Sequence, residues 1–170
     1  MSDTLVRSRA RAVEWPTLGL LVLCYTVWAV GTTWAAGWFL PLGMVMVTLA
    51  AALHSSLCHE ALHGHPTRAR WLNEALVFPA LTLSIPYLRF RDTHLAHHQD
   101  SILTDPYDDP ESNYLDASVW ERLSPVTQAV LNLNNRLIGR LLIGPLVGQV
   151  AFMAADWRAI RAGDRAVLRG

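Results

Sequence analysis

Residues 15–59 read WPTLGLLVLCYTVWAVGTTWAAGWFLPLGMVMVTLAAALHSSLCH, a run of 45 residues without Asp, Glu, Lys or Arg. A helix needs about 20 residues to cross the hydrocarbon core of a bilayer, so this run has room for two crossings. We predict transmembrane helices at 17–36 and 39–57, joined by a tight turn at 34–38 and Pro41. The run is too long for a cleaved signal peptide, and we therefore expect a helical hairpin.

The composition agrees with a membrane protein of about one domain. The 170 residues are 52% hydrophobic and 16% charged, with a mean hydropathy of +0.23, whereas soluble domains carry about 25% charged residues. The net charge is zero, which argues against a nucleic-acid partner. The two cysteines, Cys24 and Cys58, lie in apolar surroundings and predict no disulfide framework. We therefore expect an all-α integral membrane protein, a transmembrane hairpin with cytoplasmic or interfacial helices.

The histidines form two clusters, and all seven lie between residues 54 and 98. His59 and His63 are four residues apart, so they share a helix face. His94, His97 and His98 have the i, i+3, i+4 spacing and do the same. Imidazole is the commonest metal ligand among side chains, and grouping at helical spacing is typical of a multidentate site. The clusters predict a metal centre at the bilayer surface.

Tryptophans and arginines predict the orientation of the hairpin. Trp15 flanks one end and Trp34 and Trp38 flank the other, as in the aromatic belts at membrane interfaces. Arginines precede the first crossing and follow the second, whereas the turn has none. They are Arg7, Arg9, Arg11, Arg68, Arg70, Arg89 and Arg91. The positive-inside rule therefore predicts that the N-terminus and both histidine clusters are cytoplasmic.

Two further apolar segments contain helix breakers. Residues 72–88 carry Pro79 and Pro86, and a single crossing there would put the two clusters on opposite sides of the membrane. We expect this segment to lie along the interface or to enter the bilayer and return. Residues 137–155 are interrupted by Gly144-Pro145, and a crossing would place the arginines that follow outside. We expect a bent membrane-surface helix there.

The first cluster by itself has another interpretation. It reads His59-Glu60-Ala61-Leu62-His63, which matches the H-E-x-x-H pattern of zinc proteases. In that pattern two histidines bind zinc and the glutamate activates water. A protease would need a third ligand, usually a carboxylate, and would leave the second cluster unexplained. A truncated membrane anchor whose histidines bind no metal is the non-enzymatic alternative.

Taken together, the two histidine clusters resemble the motifs of a known protein family. His59-x-x-x-His63, followed by His94-x-x-His97-His98 and an Asp-Pro segment, resembles the membrane fatty acid desaturases and the related hydroxylases and ketolases. The resemblance covers residues 15–113 and includes the hairpin. It implies histidine boxes that hold two irons, which activate dioxygen to remove hydrogens from an unactivated alkyl chain. Carotenoid hydroxylation or ketolation, or the hydroxylation of a lipid, is the alternative within the same superfamily.

The resemblance also implies particular residues and partners. The metal ligands that it implies are His59, His63, His94, His97 and His98. It implies an acyl substrate reached from the bilayer and an external electron donor of the ferredoxin or cytochrome type. Ligating histidines usually donate their second ring N–H to a carboxylate or a carbonyl group. The candidates for such a carboxylate are Glu60, Asp92, Asp100 and Asp105.

The remaining histidines and acidic residues have plainer interpretations. His54 precedes His59 by five residues, about 140° around a helix, and we expect it to be hydrogen-bonded inside the hairpin. His65 follows Gly64 and is a surface residue, a support for a ligand or a ligand itself. The acidic run at 105–111 predicts a solvated loop whose prolines favour a turn.

One part of the family pattern is missing from the sequence. The family has a third histidine box, preceded by a second pair of crossings, and this chain has no histidine after His98. Five ligands cannot fill two iron sites. We therefore interpret residues 1–170 as a single desaturase-like domain that is incomplete at its C-terminus, and we expect these 170 residues alone to be inactive.

Overall fold

The computed structural model describes residues 13–81, 85–99, 104–109, 111–112 and 114–169. These residues form helices and loops, without a β-strand among them beyond one isolated bridge between Val13 and Thr67. The all-α prediction is therefore confirmed for the described part of the chain. Four residues used above lie outside it, namely Arg7, Arg9, Arg11 and Asp100. The chain divides into two compact units, residues 1–83 and 84–170.

The first unit contains the hairpin. Helix α1 (Trp15–Val30) continues through a π-helical turn at Gly31–Ala35 into the short α2 (Ala36–Trp38), and α3 (Leu40–Leu62) follows. Two helical stretches of 24 and 23 residues, Trp15–Trp38 and Leu40–Leu62, are long and apolar enough to cross a membrane. The two predicted crossings are thus confirmed as helices of suitable length.

The turn of the hairpin is shorter than predicted. Residues 34–38, which we expected to form the turn, are helical, and only Phe39 leaves the helical conformation, with φ −151° and ψ 99°. Pro41 lies in the first turn of α3. Backbone N–H groups in that turn have no intrahelical acceptor, so proline loses no hydrogen bond there. The prediction was wrong because glycine and tryptophan at 34–38 do not prevent a helix from continuing, and one extended residue is enough to reverse the chain.

Small residues bring the two helices of the hairpin together near this turn. A Cβ atom added to Gly43 would lie 2.7 Å from the Cα of Ala36, and one added to Gly31 would lie 3.0 Å from the Cβ of Met46. The backbones therefore approach closely, as in other membrane helix pairs that pack through glycine and alanine. Farther along, the Cys24 thiol donates to the carbonyl oxygen of Ala50 at 3.2 Å.

A buried polar contact joins α1, α3 and the next helix, α4 (Arg70–Val77). The Tyr25 hydroxyl donates to the carbonyl oxygen of Leu76 at 2.8 Å and lies 3.4 Å from Nε2 of His54. His54 is only 5% exposed, and its Nδ1 lies 3.6 Å from the sulfur of Cys58. The expectation of a hydrogen-bonded His54 inside the hairpin is confirmed.

The open end of the hairpin is closed by two sets of polar contacts. Nδ1 of His65 lies 2.7 Å from Oε1 of Glu14, which precedes α1. Asn73 of α4 is fully buried, and its amide exchanges hydrogen bonds of 2.7–2.9 Å with the backbone and hydroxyl of Thr67. Because the buried amide of Asn73 is satisfied in this way, the loop after α3 is fixed against α4.

The segment at 72–88 does not form one helix. Helix α4 ends at Val77, and the residues described between it and Tyr87 are not helical. A continuous crossing is therefore excluded for the described residues of this segment, as its prolines predicted. Its position along the interface stays a prediction.

The described helices of the second unit have 6 to 18 residues. They are α5 (Tyr87–His97), α6 (Ala117–Arg122), α7 (Pro125–Asn134), α8 (Leu137–Leu142), α9 (Gly144–Arg161) and a final 3₁₀ turn, Ala166–Arg169. Asp116 and Ser124 cap α6 and α7 by accepting from the backbone N–H groups of Ser118 and Thr127. Residues 137–155 are divided between α8 and α9 at Ile143, so the predicted interruption is confirmed.

Replacement of Gly43 tests how the hairpin is held together. The change Gly43→Ala should lower the free energy of unfolding by about 1–3 kcal/mol, because the added methyl group would overlap the backbone of Ala36. The matched control is Gly19→Ala, since a Cβ on Gly19 in α1 meets nothing within 4 Å. The control should be neutral or stabilising by up to about 1 kcal/mol. Unfolding in mixed micelles of increasing dodecyl sulfate content measures both, and equal stability of the two variants would contradict the close approach.

Candidate metal centre

The first pair of predicted ligands lies at the end of α3. His59 is in the last turn, and His63 caps the helix directly after its last residue, Leu62. Their rings are 4.7 Å apart between centroids and meet edge to face. Gly64 then takes φ +94°, a left-handed conformation that glycine adopts without strain, and turns the chain away from the helix. The predicted i, i+4 pair is therefore present on one face.

The second cluster lies at the end of α5. His94 and His97 are in its last turn, and His98 is the capping residue. Nε2 of His94 and Nε2 of His98 are 3.0 Å apart. Two imidazole nitrogens that bind one ion at about 2.0–2.1 Å and at a right angle are about 3 Å apart. The separation of these two nitrogens is compatible with a shared ion and also with a hydrogen bond between the two rings.

His97 is held by a buried carboxylate. Its Nδ1 lies 2.7 Å from Oδ1 of Asp109, whose side chain is only 2% exposed. The same carboxylate accepts hydrogen bonds from the backbone N–H groups of Thr104 at 3.0 Å and Glu111 at 2.9 Å. A carboxylate with three donors stays fixed, and the ring N–H that it accepts leaves Nε2 of His97 unprotonated for a metal.

A second carboxylate supports His94 in the same manner. Nδ1 of His94 lies 3.0 and 3.1 Å from the two carboxylate oxygens of Glu111. When this nitrogen carries the proton, Nε2 of His94 is a lone-pair donor facing Nε2 of His98. The ring orientation and tautomer that metal binding needs are therefore set by the carboxylate of Glu111.

The hydrogen bonds to Asp109 also affect its pKa. The backbone N–H of Thr104 is the largest cause that lowers the pKa of Asp109, with the His97 ring and the backbone N–H of Glu111 adding to it and burial opposing it. Because the pKa of Asp109 in the folded state is below its ordinary value, the ionised carboxylate stabilises the fold at pH values above that ordinary value. This stabilisation is lost as the pH falls through the lowered value.

The loop that carries these carboxylates has an exposed turn at 106–108, as predicted for 105–111, but Asp109 after that turn is buried. Thr104 has φ +76°, which a threonine rarely adopts. Its backbone is held by the N–H bond to Asp109 and by the Ser112 hydroxyl, which donates to its carbonyl oxygen at 2.9 Å. The prediction treated acidic residues as exposed by default, whereas the histidine rings give Asp109 and Glu111 partners.

The carboxylates proposed from sequence have other contacts. Asp92 pairs with the neighbouring Arg91 at 2.8 Å. Asp105 accepts from the backbone N–H groups of Tyr107 and Asp108 and so forms the turn. Glu60 lies 3.7 Å from Nδ1 of His59, beyond hydrogen-bond distance. Asp92 and Asp105 were therefore wrong assignments, because proximity in sequence was taken for proximity in space.

Each unit thus brings its own predicted ligands together. His59 and His63 are adjacent in the first unit, and His94, His97 and His98 are adjacent in the second. His65 is bound to Glu14 by the contact described above. Neutral imidazoles backed by carboxylates suit iron and also zinc or copper, so the described residues fit a transition metal.

A comparison with known protein families identifies the chain. A family model described as fatty acid desaturase matches residues 32–167, a region that contains both histidine clusters and the loop with Asp109 and Glu111. No curated protein and no solved structure matches the chain. The matched residues make up most of the sequence and include the end of the hairpin. The chain therefore belongs to the fatty acid desaturase family, which indicates a membrane oxidoreductase.

Proposed function

We propose that this protein takes part in the dioxygen-dependent desaturation of fatty acyl chains at a di-iron centre. The observation that carries the proposal is the carboxylate support of the second cluster, found within the region that matches the desaturase family. Histidines that serve only as a polar surface need no buried carboxylate behind them, whereas metal ligands usually have one. The chemistry that two bound irons supply is the activation of dioxygen toward an unactivated alkyl chain.

The roles of the chain's own residues follow from the contacts within each unit. The proposed ligands are His59, His63, His94, His97 and His98. Asp109 and Glu111 contact Nδ1 of His97 and His94, so Nε2 is the nitrogen of each ring that we propose as the metal ligand. We propose that the two clusters serve one centre, as the family resemblance implies. The match to a desaturase model does not favour the zinc protease interpretation of His59-Glu60-Ala61-Leu62-His63.

The hairpin gives the proposed substrate its route. Leu23 of α1 and Leu49 of α3 are more than half exposed, as suits lipid-facing side chains of a membrane hairpin. An acyl chain in the bilayer would then reach the histidines at the end of α3 without passing through water. We propose a cytoplasmic N-terminus and cytoplasmic histidines, as the positive-inside rule predicts. We also propose that electrons come from a separate ferredoxin or cytochrome, as the family resemblance implies.

The change His94→Ala tests the assignment of the ligands. It should abolish the unsaturated product and lower the iron content, because it removes a ligand and the partner of both His98 and Glu111. Lipid profiling of cells that express the protein from its complete reading frame, with iron analysis of the purified protein, measures both. Continued formation of double bonds by this variant would contradict the proposal.

A second change separates a desaturase from a zinc protease. Glu60→Gln should leave the lipid profile unchanged, because the carboxylate of Glu60 is 3.7 Å from His59 and makes no hydrogen bond to it. In a protease of the H-E-x-x-H type the same change removes the group that activates water. Loss of peptide cleavage by this variant, together with an unaltered lipid profile of the unsubstituted protein, would favour the protease.

Replacement of Asp109 tests the support of His97. The change Asp109→Asn should weaken metal binding by about 10–100-fold. An amide has one acceptor oxygen, so its NH₂ group must face at least one of the donors that now bind the carboxylate. Asp108→Asn is the matched control, since Asp108 is exposed and adjacent. Calorimetric titration with iron(II) measures the affinity, and thermal unfolding without metal separates a binding effect from a folding effect. Equal affinities of the two variants would contradict this role.

A further inference from the structure

The long helix of the second unit exposes an apolar stripe. In α9, Leu146, Val150, Met153 and Trp157 are 68%, 59%, 61% and 61% exposed. Their spacing of four, three and four residues places them on one helix face. A stripe of this kind normally packs against a protein core, so its exposure over three turns calls for a partner.

An acidic residue of α9 lies on a flank of the helix, about 90° around it from the stripe. Asp156 is 19% exposed and lies 2.6 Å from the guanidinium of Arg89 in α5. The ring of Phe152 lies under the same guanidinium, 5.9 Å from its centre. The helix therefore turns its acidic group inward to an ion pair and its apolar side chains outward. A helix surrounded by water has the reverse arrangement, whereas a helix in contact with lipid has this one.

The apolar surface continues onto the preceding helix. Four residues of α8 are between 70% and 77% exposed, and they are Leu137, Ile138, Leu141 and Leu142. They occupy most of a six-residue helix, so α8 is apolar around much of its circumference. These four residues and the stripe of α9 are exposed apolar residues of two consecutive helices, here together called the α8–α9 surface.

Basic residues border the α8–α9 surface. Arg158 and Arg161 lie in the last turn of α9, next to Trp157, and both are exposed, as is Arg140 of α8. Arginine beside interfacial tryptophan is the pattern of segments that bind anionic lipid headgroups. A purely hydrophobic protein partner would have no use for these charges, which favours a lipid surface with phosphate groups over a second copy of the chain.

The composition of helix α9 argues against a crossing of the bilayer. Its 18 residues include Asp156, Arg158 and Arg161, and it is not among the helices of the described chain that are long and apolar enough to span a membrane. A helix with an apolar face, arginines at its border and too little apolar length for a crossing lies in the plane of the interface.

We propose that α8 and α9 lie in the surface of an anionic bilayer leaflet, with the α8–α9 surface among the acyl chains and the arginines at the lipid phosphates. The second unit is then attached to the membrane by its own contacts, in addition to the hairpin of the first unit. The proposal is independent of the metal centre and of the reaction, because it rests on exposure and charge alone.

Spin labels on α9 test the proposal in the full chain. Val150→Cys and Met153→Cys carry the label on the stripe, and Asp108→Cys carries it on an exposed loop of the same unit. The native cysteines are buried, and the unsubstituted chain labelled in parallel gives the background. In vesicles of phosphatidylcholine mixed with phosphatidylglycerol, the ratio of collisions with oxygen to collisions with a water-soluble nickel complex should be several-fold higher at 150 and 153 than at 108.

Other outcomes of this measurement overturn the proposal. Free access of the nickel complex to positions 150 and 153 would show a surface in water, and exclusion of both reagents would show a surface covered by protein. Circular dichroism confirms that each labelled chain is folded, and agreement between two stripe positions guards against a local effect of one label.

A second arm tests the anionic headgroups. With Arg158→Gln and Arg161→Gln combined, the collision ratio at position 150 should fall by several-fold in the mixed vesicles toward its value in pure phosphatidylcholine. The unsubstituted arginines should give a higher ratio in the mixed vesicles than in pure phosphatidylcholine. Equal ratios in the two lipids for the chain with its arginines would overturn the assignment to an anionic leaflet.

Discussion

A chain segment inside a bilayer has no water to satisfy its backbone, so each peptide group must be paired within the protein. The 45 uncharged residues at 15–59 meet this requirement as two helices joined by the single extended residue Phe39. The close approach that Gly43 permits holds the pair together. The uncharged run ends at His59, in the last turn of α3. The first histidine pair therefore lies at the end of the helix that is apolar enough to cross the membrane.

The proposed metal ligation would place a second requirement on the chain outside the hairpin. An imidazole binds metal through one nitrogen only when the other carries the proton, so a neighbouring acceptor determines which nitrogen is available. Asp109 and Glu111 provide that acceptor for His97 and His94. The loop that carries them adopts an uncommon backbone at Thr104, which the hydrogen bonds to Asp109 and Ser112 stabilise.

The sequence predicted features that depend on periodicity and missed those that depend on contacts between distant residues. The hairpin is predictable from the uncharged run, and the two clusters are predictable from their helical spacing. Asp109 and Glu111 are 12 and 17 residues from their histidines, across a loop. The signal for them was the Asp-Pro segment after the second cluster, but nothing local distinguishes Asp109 from Asp105. The pairing of His65 with Glu14 spans 51 residues and was equally invisible.

The second unit places acidic side chains inward and large apolar side chains outward. Two of its acidic side chains are turned toward partners within the unit, Asp109 toward His97 and Asp156 toward Arg89, with 2% and 19% of their side chains exposed. Its large apolar side chains on α8 and α9 are turned outward. In water this arrangement would forfeit the hydrophobic contribution of the apolar residues, which is about 25 cal/mol per Å² of buried apolar area. In contact with lipid that contribution is recovered, while Asp109 and Glu111 stay paired with the rings of His97 and His94. The outward apolar surface and the buried carboxylates are therefore both what we expect of the proposed metal centre at the surface of a membrane.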